Sequence, residues 1–519
     1  MKKRGRILGF TLALTMALSV VLPLNVFAAG SIKVNRPSNL SIEGQEFRAY
    51  KIFDVTIDEP HYSYTVSADF LAFLGTAGYP EKEEAFISLI EGMANDSEEL
   101  NKLGEDLWSY IVANSIETPY AITAGANAES VVIDGLPLGY YLTYGTVLAD
   151  NGVTITAAVS LTTTNESAVI NPKADYPKID KDVWNHNVEG EDKWDKWADL
   201  NVGDIAEFKL TSEVPLMFGY ESKGYVFTVH DTMSKGLTFD AESVAVKVGG
   251  VTVSEGSDYE VVIVGTDGDG ALSFKIVFDP MIFVTYTSGS AIEIYYEALL
   301  NEDAVIGAPG NPNTVHLEYS TNPYAAGEGG ETGETEPETV IVYTFEIKIY
   351  KYKGDIDKES DEGLAGAKFV LRTDKDKEDS ALYFIGSDGI YMLSESGAEG
   401  AGVGLESPDG GKISLIGLDA GTYYLVETDA PKGFNKIPDA ITVVVVHTDA
   451  AGAFNYTVTI GSDVLPGQDT VNVLNKSGFL FPGTGDIGTT IFYIAGSVIV
   501  VAALIALVVY ASKRKGSVE

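Results

Sequence analysis

Two lysines, two carboxyls and two asparagines in this sequence fall at strand positions where an apolar side chain is expected. In a β-strand, residues two apart share a face. Across residues 345–351 that rule puts Lys351 on the face of Phe345, Ile347 and Ile349, while Glu346, Lys348 and Tyr350 take the other. The same parity places Lys181 with Ile179 and Val183, Asp231 with Tyr225, Phe227 and Val229, and Asn313 with Val315, Leu317 and Tyr319. Glu427 falls with Tyr423 and Leu425, and Asn475 with Val471 and Val473. An ammonium directed into an apolar core without a partner is costly. The chemistry that uses a buried Lys, carboxyl and Asn together is amide formation between side chains. Desolvation lowers the lysine pKa toward the neutral amine and raises the carboxyl pKa toward the protonated acid. The amine then attacks the Asn side-chain carbonyl, the carboxyl polarises that carbonyl and shuttles protons, ammonia departs, and burial keeps out competing water. Asn322 lies on the opposite parity to Leu317 and Tyr319, and Asn311 is farther from the regular strand, so Asn313 ranks first as the partner of Lys181. An ordinary buried ion pair beside a hydrogen-bonded amide is the alternative for each trio.

The elements that must hold these residues are mostly strands. Alternating runs rich in Val, Ile, Thr and Tyr are separated by Gly, Asp and Asn, the pattern of β-sandwiches. One exception lies at 81–116, where Leu100, Leu103, Leu107 and Ile111 are spaced for one or two amphipathic helices. The chain's 519 residues have room for about three domains. Composition breaks at 171–178 and 325–339 set the expected domains at 29–172, 173–340 and 341–476. The expected fold class is all-β, with three tandem immunoglobulin-like sandwiches and an added helix in the first. There is no cysteine, so no disulfide staples these domains. A Lys–Asn crosslink closing a loop of about 120 to 130 residues fills that role, worth roughly 4 to 5 kcal/mol by the loop-entropy argument. The net charge of -40 repels phosphate backbones and anionic headgroups, which argues against nucleic acid as a partner.

Both ends lie outside the expected domains. Lys2, Lys3, Arg4 and Arg6 precede an apolar run to about Leu24 and then Val26, Phe27 and Ala28, the layout of a secretory signal peptide over residues 1–28. Residues 491–511 are uncharged and apolar, long enough to cross about 30 Å of hydrocarbon as a helix. Lys513, Arg514 and Lys515 follow and hold the tail in the cytoplasm, so the body between the two ends faces outward.

Leu480, Phe481, Pro482, Gly483, Thr484 and Gly485, followed by the span and the basic tail, resemble a sortase sorting signal, with Phe481 where Leu is usual. That resemblance implies attack of a sortase thiolate on the Thr484 carbonyl, release of the segment from Gly485 onward, and transfer of the acyl group to an amine. Residues 364–369 and 421–434 resemble hallmark segments of the B-type immunoglobulin-like domains of collagen adhesins and pilins, with Glu427 as the E-box glutamate. Residues 229–233 and 310–313 resemble the isopeptide-forming middle domain of Gram-positive major pilins. The resemblance implies the same two trios: Lys181, Asp231 and Asn313, and Lys351, Glu427 and Asn475. Major pilins also carry an acceptor lysine at the end of a Val-any-Val-Tyr-Pro-Lys segment. Here Ala168 to Lys173 keeps the hydrophobic spacing with Asn171 for Tyr, and Asp175 to Lys178 keeps Tyr-Pro-Lys. Lys173, eight residues before Lys181, is favoured over Lys178, which is three before it.

The function implied is that of a pilus backbone subunit at the cell surface, joined covalently to identical subunits by sortase. Its other implied partners are accessory pilins, the peptidoglycan and host surface ligands. The alternative is a single wall-anchored adhesin that binds host matrix and needs no acceptor lysine. No cofactor or metal is expected: the five histidines sit in unrelated segments, and 374–379 lacks the Gly and terminal Glu of a calcium loop. Self-crosslinking is single-turnover chemistry, so the chain is not read as an enzyme.

Overall fold

The computed structural model describes residues 29–515 apart from 38–39, 59–60, 77, 96, 158–159, 165–166, 187–192, 218, 221–222, 326–329, 355–361, 448–453, 461–462 and 477–485. Among the described residues the strands form six sheets, two in each third of the chain. Strand β1 (Ala29–Asn35) pairs antiparallel with Ser130–Pro137 and in parallel with Ser167–Ile170. The longer β2 (Glu46–Asp58) belongs to a second sheet, against which helices α1 (Glu83–Glu91) and α2 (Glu98–Ala113) pack. The expected helical stretch is thus two helices. Ser97 starts the second, its hydroxyl oxygen accepting from the Leu100 amide at 3.2 Å. Leu103, Leu107 and Ile111 follow one turn apart and bury in one cluster with Tyr50, Phe53 and Phe86. Beside them Trp108 stacks on Tyr144 of β3 (Gly139–Leu148), with ring centroids 3.8 Å apart.

The middle sandwich is built on β4 (Asp180–Asn185), β5 (Trp197–Asp199), β6 (Ile205–Glu213), β7 (Phe227–Met233), β8 (Ala291–Leu300), β9 (Asn311–Asn322) and β10 (Glu338–Tyr343). Strands β4, β6 and β8 lie side by side in one sheet, and β5, β10, β9 and β7 follow one another in the other. Residues 331–334 and 338–343 are strands of this sandwich. Glu331–Glu334 pairs with β9, and β10 carries the same sheet on to Tyr343, past the expected boundary at 340. The Gly/Glu/Thr composition of 331–334 marks a charged sheet edge, which discourages further pairing, while Val340 and Val342 alternate inward to full burial.

In the last sandwich β11 (Phe345–Lys353) pairs antiparallel with β12 (Lys412–Leu418). Strand β13 (Gly421–Asp429) lies in the opposite sheet, and β14 (Val471–Asn475) returns parallel to β11. The first and middle parts share one continuous apolar core, whereas the last has its own, from Tyr343 to Val473. Helix α3 (Asp486–Lys515) is the last described element, and Ile491–Tyr510 within it is long and apolar enough to cross a membrane, with mean hydropathy 2.8.

Candidate crosslinking sites

In the middle sandwich, strand alternation delivers its polar exceptions to one place between the sheets. Lys181 on β4 and Asn313 on β9 are fully buried, and Asp231 on β7 is 1% exposed. Lys181 Nζ lies 2.6 Å from Asp231 Oδ2. The rings of Phe208 and Tyr296 flank the amine, with centroids 5.5 and 5.4 Å from Nζ. Burial pulls the Lys181 pKa down to about 8 against the attraction of Asp231, and it pushes the Asp231 pKa up against the pull of Lys181 and Tyr296. Both shifts favour the neutral amine and the neutral acid. At a pKa near 8 about one amine in ten is uncharged at pH 7, against roughly one in three thousand for an ordinary lysine.

Tyr296 on β8 is the residue that the sequence expectations leave out. Its hydroxyl donates to Asp231 Oδ2 at 2.7 Å and accepts from Asn313 Nδ2 at 3.2 Å. A signal for it existed, since Ile292, Ile294, Tyr296 and Ala298 alternate inward and a buried phenol usually finds a partner. The rival asparagines are engaged elsewhere. Asn311 accepts from the Val305 amide and donates to the carbonyls of Val305 and Val342. Asn322 accepts from the Tyr324 amide at 3.0 Å and donates to Glu331 at 3.4 Å. Of the three, Asn313 is the one that joins Asp231 and Lys181 through Tyr296.

In the last sandwich the partners sit on neighbouring strands. Lys351 is opposite Val473 in the parallel β11–β14 pair, so Asn475 lies diagonally across on the same inner face. Lys351 Nζ donates to Asn475 Oδ1 and, at 3.3 Å, to the Val473 carbonyl, and it lies 3.4 Å from Glu427 Oε1. Asn475 Nδ2 donates to that same Oε1 at 3.0 Å, while Oε2 accepts from the Ile437 amide at 2.7 Å. All three side chains are buried, and burial brings the Lys351 pKa down to about 8 against the pull of Glu427.

The backbone fixes Lys351 from behind. Its amide donates to the Gly411 carbonyl at 2.7 Å, and its carbonyl accepts from the Leu364 amide at 2.9 Å. Gly411 has φ +70°, and a Cβ there would collide with the Lys351 carbonyl oxygen. Gly411→Ala is therefore expected to destabilise the last domain by about 2 to 3 kcal/mol, read from its urea midpoint. An unchanged midpoint would mean that the loop has room to move.

The structure brings both expected trios together, and it places the remaining expected residues as follows. Lys173 is half-buried. Lys178 is exposed, with Nζ 3.1 Å from Asp150 Oδ2, and its hydrogen bond to Asp150 raises its pKa. Phe481, Pro482, Gly483, Thr484 and Gly485, and the signal segment 1–28, lie outside the described residues. His230 sits next to Asp231 in sequence but on the opposite face, 2.9 Å from Glu318 and stacked on His316. Among the described residues no group of three or more His, Asp or Glu converges to hold a metal ion.

Residues 202–323 match the family described as Gram-positive pilin backbone subunit 2, Cna-B-like domain, and residues 346–459 match a prealbumin-like fold domain. The trypsin-resistant surface T6 protein of Streptococcus pyogenes serotype M6 is 25% identical over 244 residues, covering 45% of this chain and 40% of that protein. Fimbrial subunit type 2 of Actinomyces naeslundii is 24% identical over 268 residues, 48% of each chain. The chain thus spans less than half the length of these two curated relatives. The solved T6 backbone pilin of serotype M6 Streptococcus pyogenes, described as a modular three-domain structure, has the same fold. It superposes with a TM-score of 0.50 at 16% identity, covering 87% of this chain and 99% of that one. The chain thus carries two matched domains in tandem, one like the Gram-positive pilin backbone domain and one with the prealbumin-like fold, and it shares its fold with a solved backbone pilin.

Proposed function

We propose that this chain is the backbone subunit of a covalent cell-surface pilus, polymerised head to tail by a sortase and stapled internally by two Lys–Asn isopeptide bonds. The observation that carries the reading is the pair of buried Lys, carboxyl and Asn clusters in successive sandwiches, each holding an amine whose pKa burial lowers. In each, the neutral amine attacks the Asn Cγ, and the side-chain nitrogen leaves as ammonia. Asp231 and Glu427 give that nitrogen the proton it needs to leave and take up the one that the amine sheds. The inferred domains are 29–172, 173–343 and 344–476, the second boundary set by the end of β10.

The ends of the chain supply the intermolecular link. Thr484 is the acyl donor in the sorting signal, and Lys173, or Lys178 in its place, is the acceptor. A donor at one end and an acceptor near the other give a heterologous contact that never closes, hence a filament. Accessory pilins, the peptidoglycan at the filament base and host surface ligands complete the proposed partners.

Intact mass tests the internal bonds. The exported chain should weigh about 34 Da less than its sequence, two ammonia molecules of about 17 Da each, one from each buried Lys, carboxyl and Asn cluster. Among the described residues of the first domain no lysine is buried, so no third loss is expected. A full sequence mass would reduce both clusters to buried ion pairs and leave a plain wall-anchored adhesin as the better reading.

A further inference from the structure

We propose that Tyr296 is a catalytic residue of the middle-domain crosslink, relaying a proton from Asp231 to the departing side-chain nitrogen of Asn313. The proposal rests on the isopeptide reading above. It starts from a difference between the two clusters. In the last domain a single oxygen, Glu427 Oε1, lies 3.4 Å from Lys351 Nζ and 3.0 Å from Asn475 Nδ2. That oxygen can take a proton from the amine and return it to the leaving nitrogen. Aspartate is one methylene shorter than glutamate. Asp231 Oδ2 reaches Lys181 Nζ at 2.6 Å, but it makes no hydrogen bond to Asn313. The Tyr296 hydroxyl stands between them, 2.7 Å from Asp231 Oδ2 and 3.2 Å from Asn313 Nδ2. Asp231 and Tyr296 together span what Glu427 spans alone.

The step balances. The neutral Lys181 Nζ adds to Asn313 Cγ, and the carbonyl pair moves onto Oδ1. Asp231, protonated at the start, turns its proton to the Tyr296 oxygen while Tyr296 donates its own proton to Nδ2, and the carboxylate this leaves takes the proton shed by Nζ. The Cγ–Nδ2 bond breaks, ammonia leaves, and the pair on Oδ1 restores the carbonyl. Asp231 ends in its starting ionisation state and Tyr296 remains a phenol throughout. Burial, which holds the Tyr296 pKa well above its ordinary value, suits a relay that never ionises the phenol.

The test uses the full chain made by cell-free translation, quenched in acid at timed intervals and digested. Mass spectrometry then counts the Lys181–Asn313 and Lys351–Asn475 crosslinked peptides in the same molecules. Tyr296→Phe keeps the ring packed against Phe208 and Phe274 and removes only the hydroxyl. It should slow the middle crosslink about 100-fold or more, as loss of a general acid does, and leave the last crosslink at its wild-type rate. Adding Asp231→Glu gives a carboxyl long enough to reach the nitrogen directly, so the double variant should recover at least about tenfold of that loss. A packing role for Tyr296 would not be rescued in this way. Wild-type speed in the Tyr296→Phe chain overturns the proposal, and so does a slow single variant that Asp231→Glu leaves slow. Absence of the Lys181–Asn313 peptide from the wild-type chain overturns the isopeptide reading itself.

Discussion

One molecule of this chain, held at positions 173 and 484 and pulled, should show no large extension step from its last domain, whereas the Lys351→Ala chain should lengthen by about 40 nm. The chain contains no cysteine, so Lys173→Cys and Thr484→Cys supply unique handles. With both proposed bonds in place, force entering at 173 reaches Lys181, crosses to Asn313, follows β9, β10 and β11 to Lys351, and crosses again to Asn475. Residues 182–312 and 352–474 lie off that path, and so does the whole first domain. Without the second bond the load falls on the β11–β14 hydrogen bonds, because these parallel strands hold the two ends of the domain together. Once they part, the residues between 351 and 475 pay out at about 3.3 to 3.6 Å each.

The same variant should also lose heat stability. A crosslink across 124 residues of sequence restricts the unfolded chain by roughly 4 to 5 kcal/mol in the loop-entropy account. Truncation further leaves Glu427 and Asn475 buried without the amine they face, a desolvation penalty of about 1 to 3 kcal/mol. The last domain should therefore melt well below its wild-type temperature while the middle domain, closed by its own proposed bond, holds. A wild-type chain that shows the 40 nm step would place the load on hydrogen bonds alone and remove the second staple from the proposal.

The trios were legible because strand parity is a local rule. Phe345, Ile347 and Ile349 announce the inner face, and Lys351 must share it whatever the rest of the chain does. Which inward residues meet is a matter of topology, and parity is silent on it. Lys351 and Asn475 meet because β11 and β14 are neighbours, but Lys181 and Asn313 belong to different sheets. Tyr296 escaped notice for that reason: its role depends on β8 facing β7 and β9 across the core. Composition alone did not announce the strand at 331–334, where the same residues that mark a break also form a charged sheet edge. The helical stretch is legible from apolar period alone, and a gap as short as that between 91 and 98 is too short for periodicity to resolve one helix from two.

Supplied with the cognate sortase, the wild-type chain should give a ladder of covalent oligomers, and Lys173→Ala should collapse that ladder to monomer while Lys178→Ala leaves it standing. Transfer from a Thr484 acyl-enzyme needs an uncharged amine that can leave its surroundings. Lys178 is exposed but bound: its Nζ pairs with Asp150 at 3.1 Å, and that hydrogen bond raises its pKa and keeps more of it as ammonium. It also lies two residues before β4, which is fixed by pairing with β6 from Asp180 onward. Lys173 is separated from that strand by residues 174–179, which lie outside regular strands, although Tyr176 and Ile179 among them are buried in the core. The counter-argument is a groove of about 610 Å³ lined in part by Tyr176, Pro177, Lys178 and Val214, which could seat the tail of an incoming subunit beside Lys178. The two variants separate these cases cleanly. Monomer from Lys178→Ala with a ladder from Lys173→Ala would make the groove the acceptor site, with the Asp150 pair broken on docking. Ladders from both single variants and monomer from the double would mean that proximity to Thr484, rather than the resting charge of either amine, selects the nucleophile.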